Sequence, residues 1–217
     1  MPSSRLWVFD LDNTLHNASA GVFPLINQQM TDYIAQHLQL ERAAANQVRE
    51  AYWRRYGATL TGMIRQHGTD PAHFLHHTHP LPELLAQVRH APGLPALLAR
   101  LPGDKVVFSN GPSRYVRAVC RHLGILPLLR DCFGVDRLGF HPKPDPRAYR
   151  RVLAAMGRRP EQCVLVEDSL VNLLTARRLG MRTVWLAPAG AVGKPAYVDV
   201  RLRQIGELAR HVRLAKM

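Results

Sequence analysis

The sequence predicts an α/β fold: a parallel sheet whose first strand is separated from the others by an inserted, all-helical segment. Three observations predict it. Leu6–Phe9 and the stretches near 105–109, 132–135, 163–166 and 182–186 are short apolar runs without polar alternation, as expected for strands covered on both faces. Beyond Pro92-Gly93 these runs alternate with helical periodicity, a pattern that implies parallel strands joined by right-handed crossovers. Between the first strand and the second lie about 70 residues with helical spacing and no strand pattern.

The chain has 217 residues, 47% of them hydrophobic, enough for one substantial core and a smaller insert. We expect a core domain made of 1–16 and 91–217 and a helical domain over 17–90. No apolar run reaches the roughly 18 residues of a membrane span. The first strand begins without a basic-then-apolar leader, so a cytoplasmic protein is expected. Cys120, Cys132 and Cys163 are odd in number and widely spaced in apolar surroundings, which suits buried thiols better than disulfides or a zinc site.

The elements follow in order. After the first strand, Val22, Leu25, Ile26, Met30, Tyr33, Ile34 and Leu38 recur at helical spacing, giving an amphipathic helix over 21–38. Further helices are expected near 41–56, 58–67, 71–79 and 81–89, punctuated by Gly57, Gly68 with Pro71, and Pro80 with Pro82. An all-helical insertion directly after a reactive-looking turn suggests a lid over the strand ends. Helices are then expected at 94–101, 112–123, 146–156 and 169–179. Pro146 after Asp145 makes a good helix start, and Gly157 and Gly180 sit where helices should stop. A short edge strand is expected near 197–201.

The formal charge is +13, carried almost wholly by arginine. The arginines fall in scattered pairs, such as Arg54-Arg55, Arg150-Arg151 and Arg177-Arg178, on predicted helix faces. That pattern reads as a solvated basic surface rather than a nucleic-acid module, although a basic nucleic-acid-binding protein remains the reading from another class. His73, His76, His77 and His79 invite a metal reading, but no carboxylate or cysteine completes the set, so solvated histidines are preferred.

In open α/β sheets the site lies outside the carboxyl ends of the strands. Polar residues gather there. The first strand ends in Asp10-Leu-Asp12-Asn-Thr14, the second in Ser109-Asn110-Gly111, and the fourth in Glu167-Asp168-Ser169. Lys143 stands in the proline-stiffened loop Phe140-His-Pro-Lys-Pro-Asp-Pro146. Unpaired burial of such acids would cost too much, so they must meet a metal, a ligand or water.

Asp10 and Asp12 in Asp-x-Asp-x-Thr, then Ser109, then Lys143, then Glu167 with Asp168, resemble in order the four motifs of the haloacid dehalogenase superfamily. The resemblance covers residues 5–187. It implies a Rossmann-like core with a helical cap, and a phosphatase that hydrolyses small phosphate monoesters through an aspartyl-phosphate. Asp10 would be the nucleophile and Asp12 the acid that protonates the leaving alcohol and later activates water. Mg²⁺ would be held by Asp10, the backbone carbonyl of Asp12, Asp168 and waters, with Glu167 in or near its shell. Ser109 and Asn110, with the amides that follow, would hold phosphate oxygens, and Lys143 would bridge nucleophile and phosphoryl group. With Asp12 protonated, three carboxylates balance Mg²⁺ and one lysine, so a dianionic phosphate can enter.

Asp12 argues against a dehalogenase, which has no leaving alcohol to protonate. The absence of lysine from 15–90 argues against a phosphonatase with a Schiff-base lysine in its cap. Within the phosphatases, Asp-Leu-Asp-Asn-Thr-Leu followed by Gly21-Val-Phe, Met30-Thr-Asp-Tyr-Ile34 and Tyr56-Gly-Ala-Thr-Leu-Thr-Gly62 looks like the pyrimidine 5′-nucleotidase group, with His16 where that group has a tyrosine. The resemblance implies a nucleoside monophosphate substrate, with Tyr56, Thr59 and Arg65 as candidates for lining the base pocket. A sugar-phosphate phosphatase or phosphomutase is the alternative.

Overall fold

The computed structural model describes residues 5–89 and 92–215. The chain divides into two compact units, Ala18–Val88 and the remainder. The second junction expected from the sequence, at 90/91, falls outside the described residues.

The larger unit holds six strands: β1 (Leu6–Phe9), β2 (Asp104–Phe108), β3 (Asp131–Phe133), β4 (Cys163–Glu167), β5 (Arg182–Leu186) and β6 (Val200–Leu202). Their order is β3-β2-β1-β4-β5-β6, and every pairing is parallel. Strand order reverses between β1 and β4, the switch point where open α/β sheets bind ligands. Phe9 is in register with Val166 and with Val107. The residues that leave these three strands therefore emerge side by side.

The missing alternation in the strands has a simple cause. Leu6, Val8, Val106, Phe108 and Leu165 face one apolar layer with Tyr149, Val152, Leu153, Leu173 and Ala176. On the opposite side Trp7 and Phe9 are stacked, 6.2 Å apart, and neither is exposed. The helices of this unit are Leu94–Arg100, Ser113–His122, Pro146–Met156 and Leu170–Arg178. At Pro146 the Asp145 carboxylate accepts the Arg147 N–H, so the cap and the proline at the first helical position act together.

The smaller unit is a run of five helices, Val22–Leu38, Arg42–Tyr56, Thr59–His67, Pro71–Thr78 and Leu81–Gln87. Tyr33 is a centre of its packing: the ring lies edge-on to Phe74 at 5.0 Å, and its hydroxyl is 2.9 Å from His73 Nδ1. Gly57 and Gly68 end two of these helices at φ 77° and 61°, the left-handed conformation that glycine adopts without strain.

Two details differ from the sequence reading. The edge strand is Val200–Leu202 rather than 197–201, because Val198 N–H closes a turn onto the Pro195 carbonyl. The segment Ile205–Ala215 is 3₁₀-helical with a kink at His211 (φ −107°, ψ 18°), an element the sequence reading left unassigned. All three cysteines are free and buried. No helix among the described residues is long and apolar enough to cross a membrane.

Candidate active site

At the switch point β1 delivers Asp10, whose N–H continues the ladder to the Val166 carbonyl at 2.9 Å. The adjacent β4 delivers Glu167 and Asp168. Lys143 Nζ lies between them, 2.6 Å from Asp10 Oδ1 and 2.7 Å from Glu167 Oε2, and 4.9 Å from the centre of the Phe108 ring. Burial alone would pull this ammonium down, but the carboxylates of Asp10 and Glu167 outweigh it and hold it above the ordinary lysine value. For Asp10 burial, followed by the Glu167 charge, outweighs Lys143 and pushes the carboxyl up to about 7. Glu167 and Asp168 are likewise raised, each mainly by burial.

Asp12 sits in a different environment. Tyr115 donates its hydroxyl to Asp12 Oδ1 at 2.5 Å, His16 Nε2 lies 3.1 Å from the same oxygen, and Ser109 donates to Oδ2 at 3.2 Å. Burial first, and then the Asp12 charge, raise the Tyr115 phenol well above its ordinary value, so Tyr115 is a donor here. The turn that brings Asp12 and His16 together passes through Asn13 at φ 62°, a conformation asparagine tolerates better than most residues. Thr14, in the same turn, has a buried hydroxyl with no hydrogen-bond partner among the described residues.

Ser109 also accepts the Gly111 N–H at 3.0 Å. The Asn110 side chain is engaged with the lysine loop at both ends: it accepts the Lys143 N–H at 2.7 Å and donates to the Lys143 carbonyl at 3.1 Å. Sequence reasoning expected Asn110 to hold phosphate. Its side-chain amide anchors the loop that aims Lys143 inward.

One carboxylate oxygen each from Asp10, Glu167 and Asp168 lies within 4.8 Å of the others. Asp10 Oδ2 is buried without a hydrogen-bond partner. Three crowded acids pushed toward their neutral forms, with one orphaned oxygen, form a hard, all-oxygen donor set short of positive charge. That set fits Mg²⁺.

In the helical unit, the Tyr56 ring is flanked by the Arg55 and Arg65 guanidiniums at 5.3 and 5.4 Å, and its hydroxyl accepts from Gln66 at 2.8 Å. Thr59 is buried and donates its hydroxyl to the Arg49 carbonyl at 3.1 Å, so its one donor is used in packing. The His73 and His77 rings lie 4.1 Å apart, tilted by 37°, with no third ligand converging on them among the described residues. The unit carries five arginines and five acids, so the whole net charge of +13 belongs to the sheet unit.

Tyr115 and His16 were not legible as partners of Asp12. Tyr115 looks like any buried aromatic of an amphipathic helix. His16 carried only its spacing of four from Asp12.

Residues 5–180 match the haloacid dehalogenase-like hydrolase family, and the chain belongs to it. The chain is 29% identical over 210 residues to the phosphoglycolate phosphatase of Rhodospirillum rubrum, spanning 88% of this chain and 86% of that protein. It is 30% identical over 131 residues to the validoxylamine A 7′-phosphate phosphatase of Streptomyces hygroscopicus subsp. limoneus, over 59% and 61% of the two chains. A solved HAD phosphatase from Thermococcus onnurineus shares the fold with a TM-score of 0.70 at 18% identity, over 98% of this chain and 100% of that one.

Proposed function

We propose that this protein is a Mg²⁺-dependent phosphatase that hydrolyses small phosphate monoesters through an aspartyl-phosphate on Asp10. The observation that carries the reading is the pairing of Lys143 with Asp10 and Glu167 beside an Asp10 oxygen that is buried and unbonded. Uncatalysed phosphate-monoester hydrolysis is among the slowest of reactions, and a covalent route divides it into two easier displacements.

The Asp10 carboxylate attacks phosphorus as the bond to the leaving oxygen breaks, and Asp12 gives that oxygen its proton. Asp12, now ionised, accepts a proton from the water that attacks the acyl phosphate, which releases phosphate and frees Asp10. Lys143 stays charged throughout and offsets the negative charge gathered around Asp10. In this reading the Ser109 hydroxyl and the backbone N–H groups that follow it hold phosphate oxygens. Mg²⁺ would be held by Asp10, Asp168 and the Asp12 carbonyl, with Glu167 in or near its shell, and would supply charge neutralisation of the phosphoryl oxygens.

For the substrate, the names of the two relatives favour a small phosphorylated acid or a sugar-like alcohol. The sequence favours a nucleoside monophosphate, and the Tyr56 ring between two guanidiniums supports that second reading. On either reading the helical insert selects the substrate as a cap.

A panel of 2-phosphoglycolate, sugar phosphates and uridine and cytidine monophosphates, assayed with Mg²⁺, with chelator and with Asp10→Asn, tests both levels. The class reading expects phosphate release that chelation stops reversibly and Asp10→Asn abolishes in a folded protein. Activity surviving either treatment would overturn it.

A further inference from the structure

Three side chains from three different segments approach the Asp12 carboxylate. Tyr115 comes from the helix after β2, His16 from the turn after β1, and Ser109 from the end of β2. Two of the three meet Oδ1. The tautomer with its proton on Nε2 lets His16 donate to Oδ1 alongside Tyr115, while His16 Nδ1 is buried and without a hydrogen-bond partner. Oδ2 takes the longer contact from Ser109, whose hydroxyl is also the one suited to a phosphate oxygen.

The clamp is built into the packing. Tyr115 and the His16 side chain are fully buried. Gly111 leaves room for the tyrosine: a Cβ at that position would lie 2.8 Å from Tyr115 Cδ1 and 3.4 Å from Ser109 Oγ. Any larger residue there would push the ring off its line to Asp12.

We infer that Tyr115 and His16 are positioning residues that lock Oδ1 of Asp12, leaving Oδ2 as the oxygen that hands the proton to the leaving group. The inference rests on the phosphatase reading and adds to it which oxygen acts and what aims it. An aspartate free to turn about two side-chain bonds would present that oxygen only part of the time. Misplacing a reacting group by about 1 Å costs on the order of 100-fold, and a general acid contributes about 10²- to 10⁴-fold.

The test exploits the leaving group. Phenolate needs a proton as it departs, whereas nitrophenolate does not, so kcat/KM is compared for phenyl phosphate and 4-nitrophenyl phosphate. In Tyr115→Phe, which keeps the ring, kcat/KM for phenyl phosphate is expected to fall about 10- to 100-fold and that for 4-nitrophenyl phosphate less than about 3-fold. His16→Leu is expected to shift the ratio the same way, and His16→Gln, which keeps a donor, to restore it. Equal losses on both esters, or no loss, in variants whose melting shows them folded would overturn the inference while leaving the phosphatase reading intact. A wild-type protein inert toward both esters and toward every phosphate of the substrate panel would remove that reading and the inference with it.

Discussion

Lys143 and Asp10 meet at 2.6 Å where their side chains are 1% and 8% exposed, and the same ammonium reaches Glu167. Lys143 is therefore a structural counter-ion as well as part of the site. Removing one partner of a buried ion pair leaves an uncompensated charge, at a cost of about 3–5 kcal/mol. Lys143→Met is expected to lower the unfolding free energy by roughly that amount in denaturant titrations and to abolish turnover. Lys143→Arg is expected not to rescue activity, because a planar guanidinium cannot replace a point charge in so tight a space. Unchanged stability in Lys143→Met would contradict the burial argument.

The raised Asp10 carboxyl sets the pH dependence of metal binding. Its folded value of about 7 lies above the ~3.9 of an unfolded aspartate, so the metal-free folded state holds this proton more tightly. That contribution to stability is full below about 4 and is lost as pH rises through about 7. Mg²⁺ needs the ionised carboxylate. Saturating Mg²⁺ is expected to raise Tm more at about pH 8 than at about pH 6 in thermal melts. An equal shift at both, or a larger one in acid, would count against the assigned ligands.

Asn110 makes a prediction that separates aiming from phosphate binding. Asn110→Ala removes two hydrogen bonds to the Lys143 backbone, worth about 1 kcal/mol each. Stability is expected to drop by about 1–2 kcal/mol and kcat by about 10-fold or more through misplacement of the ammonium, with KM for inorganic-phosphate-like substrates nearly unchanged. A large rise in KM with kcat preserved would assign Asn110 to phosphate binding instead.

The placing of all the net charge on the sheet unit makes the fourth. A basic surface around a site for anions speeds encounter and is screened by salt. Raising ionic strength is expected to lower kcat/KM for a small dianionic phosphate several-fold while kcat holds. Salt-independent kcat/KM would mean that the arginines play no part in capture.

What could be read from the chain divides along a physical line. Lys143, in a loop, was legible through its place in the motif order, whereas Asp10, Glu167 and Asp168 were legible because a buried parallel strand cannot end in a carboxylate without a partner, and that rule is local to a few residues. The strands and helices were legible for the same reason, as apolar periodicity is written within each element. The Tyr115–Asp12 contact spans 103 positions and depends on where one helix lands, so nothing near Tyr115 signals it. The Asn110 side chain reaches a loop 33 positions away, a contact that residue type alone did not signal. The C-terminal 3₁₀ segment carries Ile205, Leu208 and Val212 at helical spacing, a signal that the sequence reading did not take up.

The measurement that bears most directly on all of this is chemical trapping of the intermediate. The protein is acid-quenched during turnover of a phosphate monoester, treated with borohydride, and digested for peptide mass analysis. Reduction of an acyl phosphate converts aspartate to homoserine, so homoserine at position 10, formed only when substrate is present, is the predicted result. Substrate turnover with residue 10 unmodified, or with homoserine appearing at another aspartate, would contradict the account.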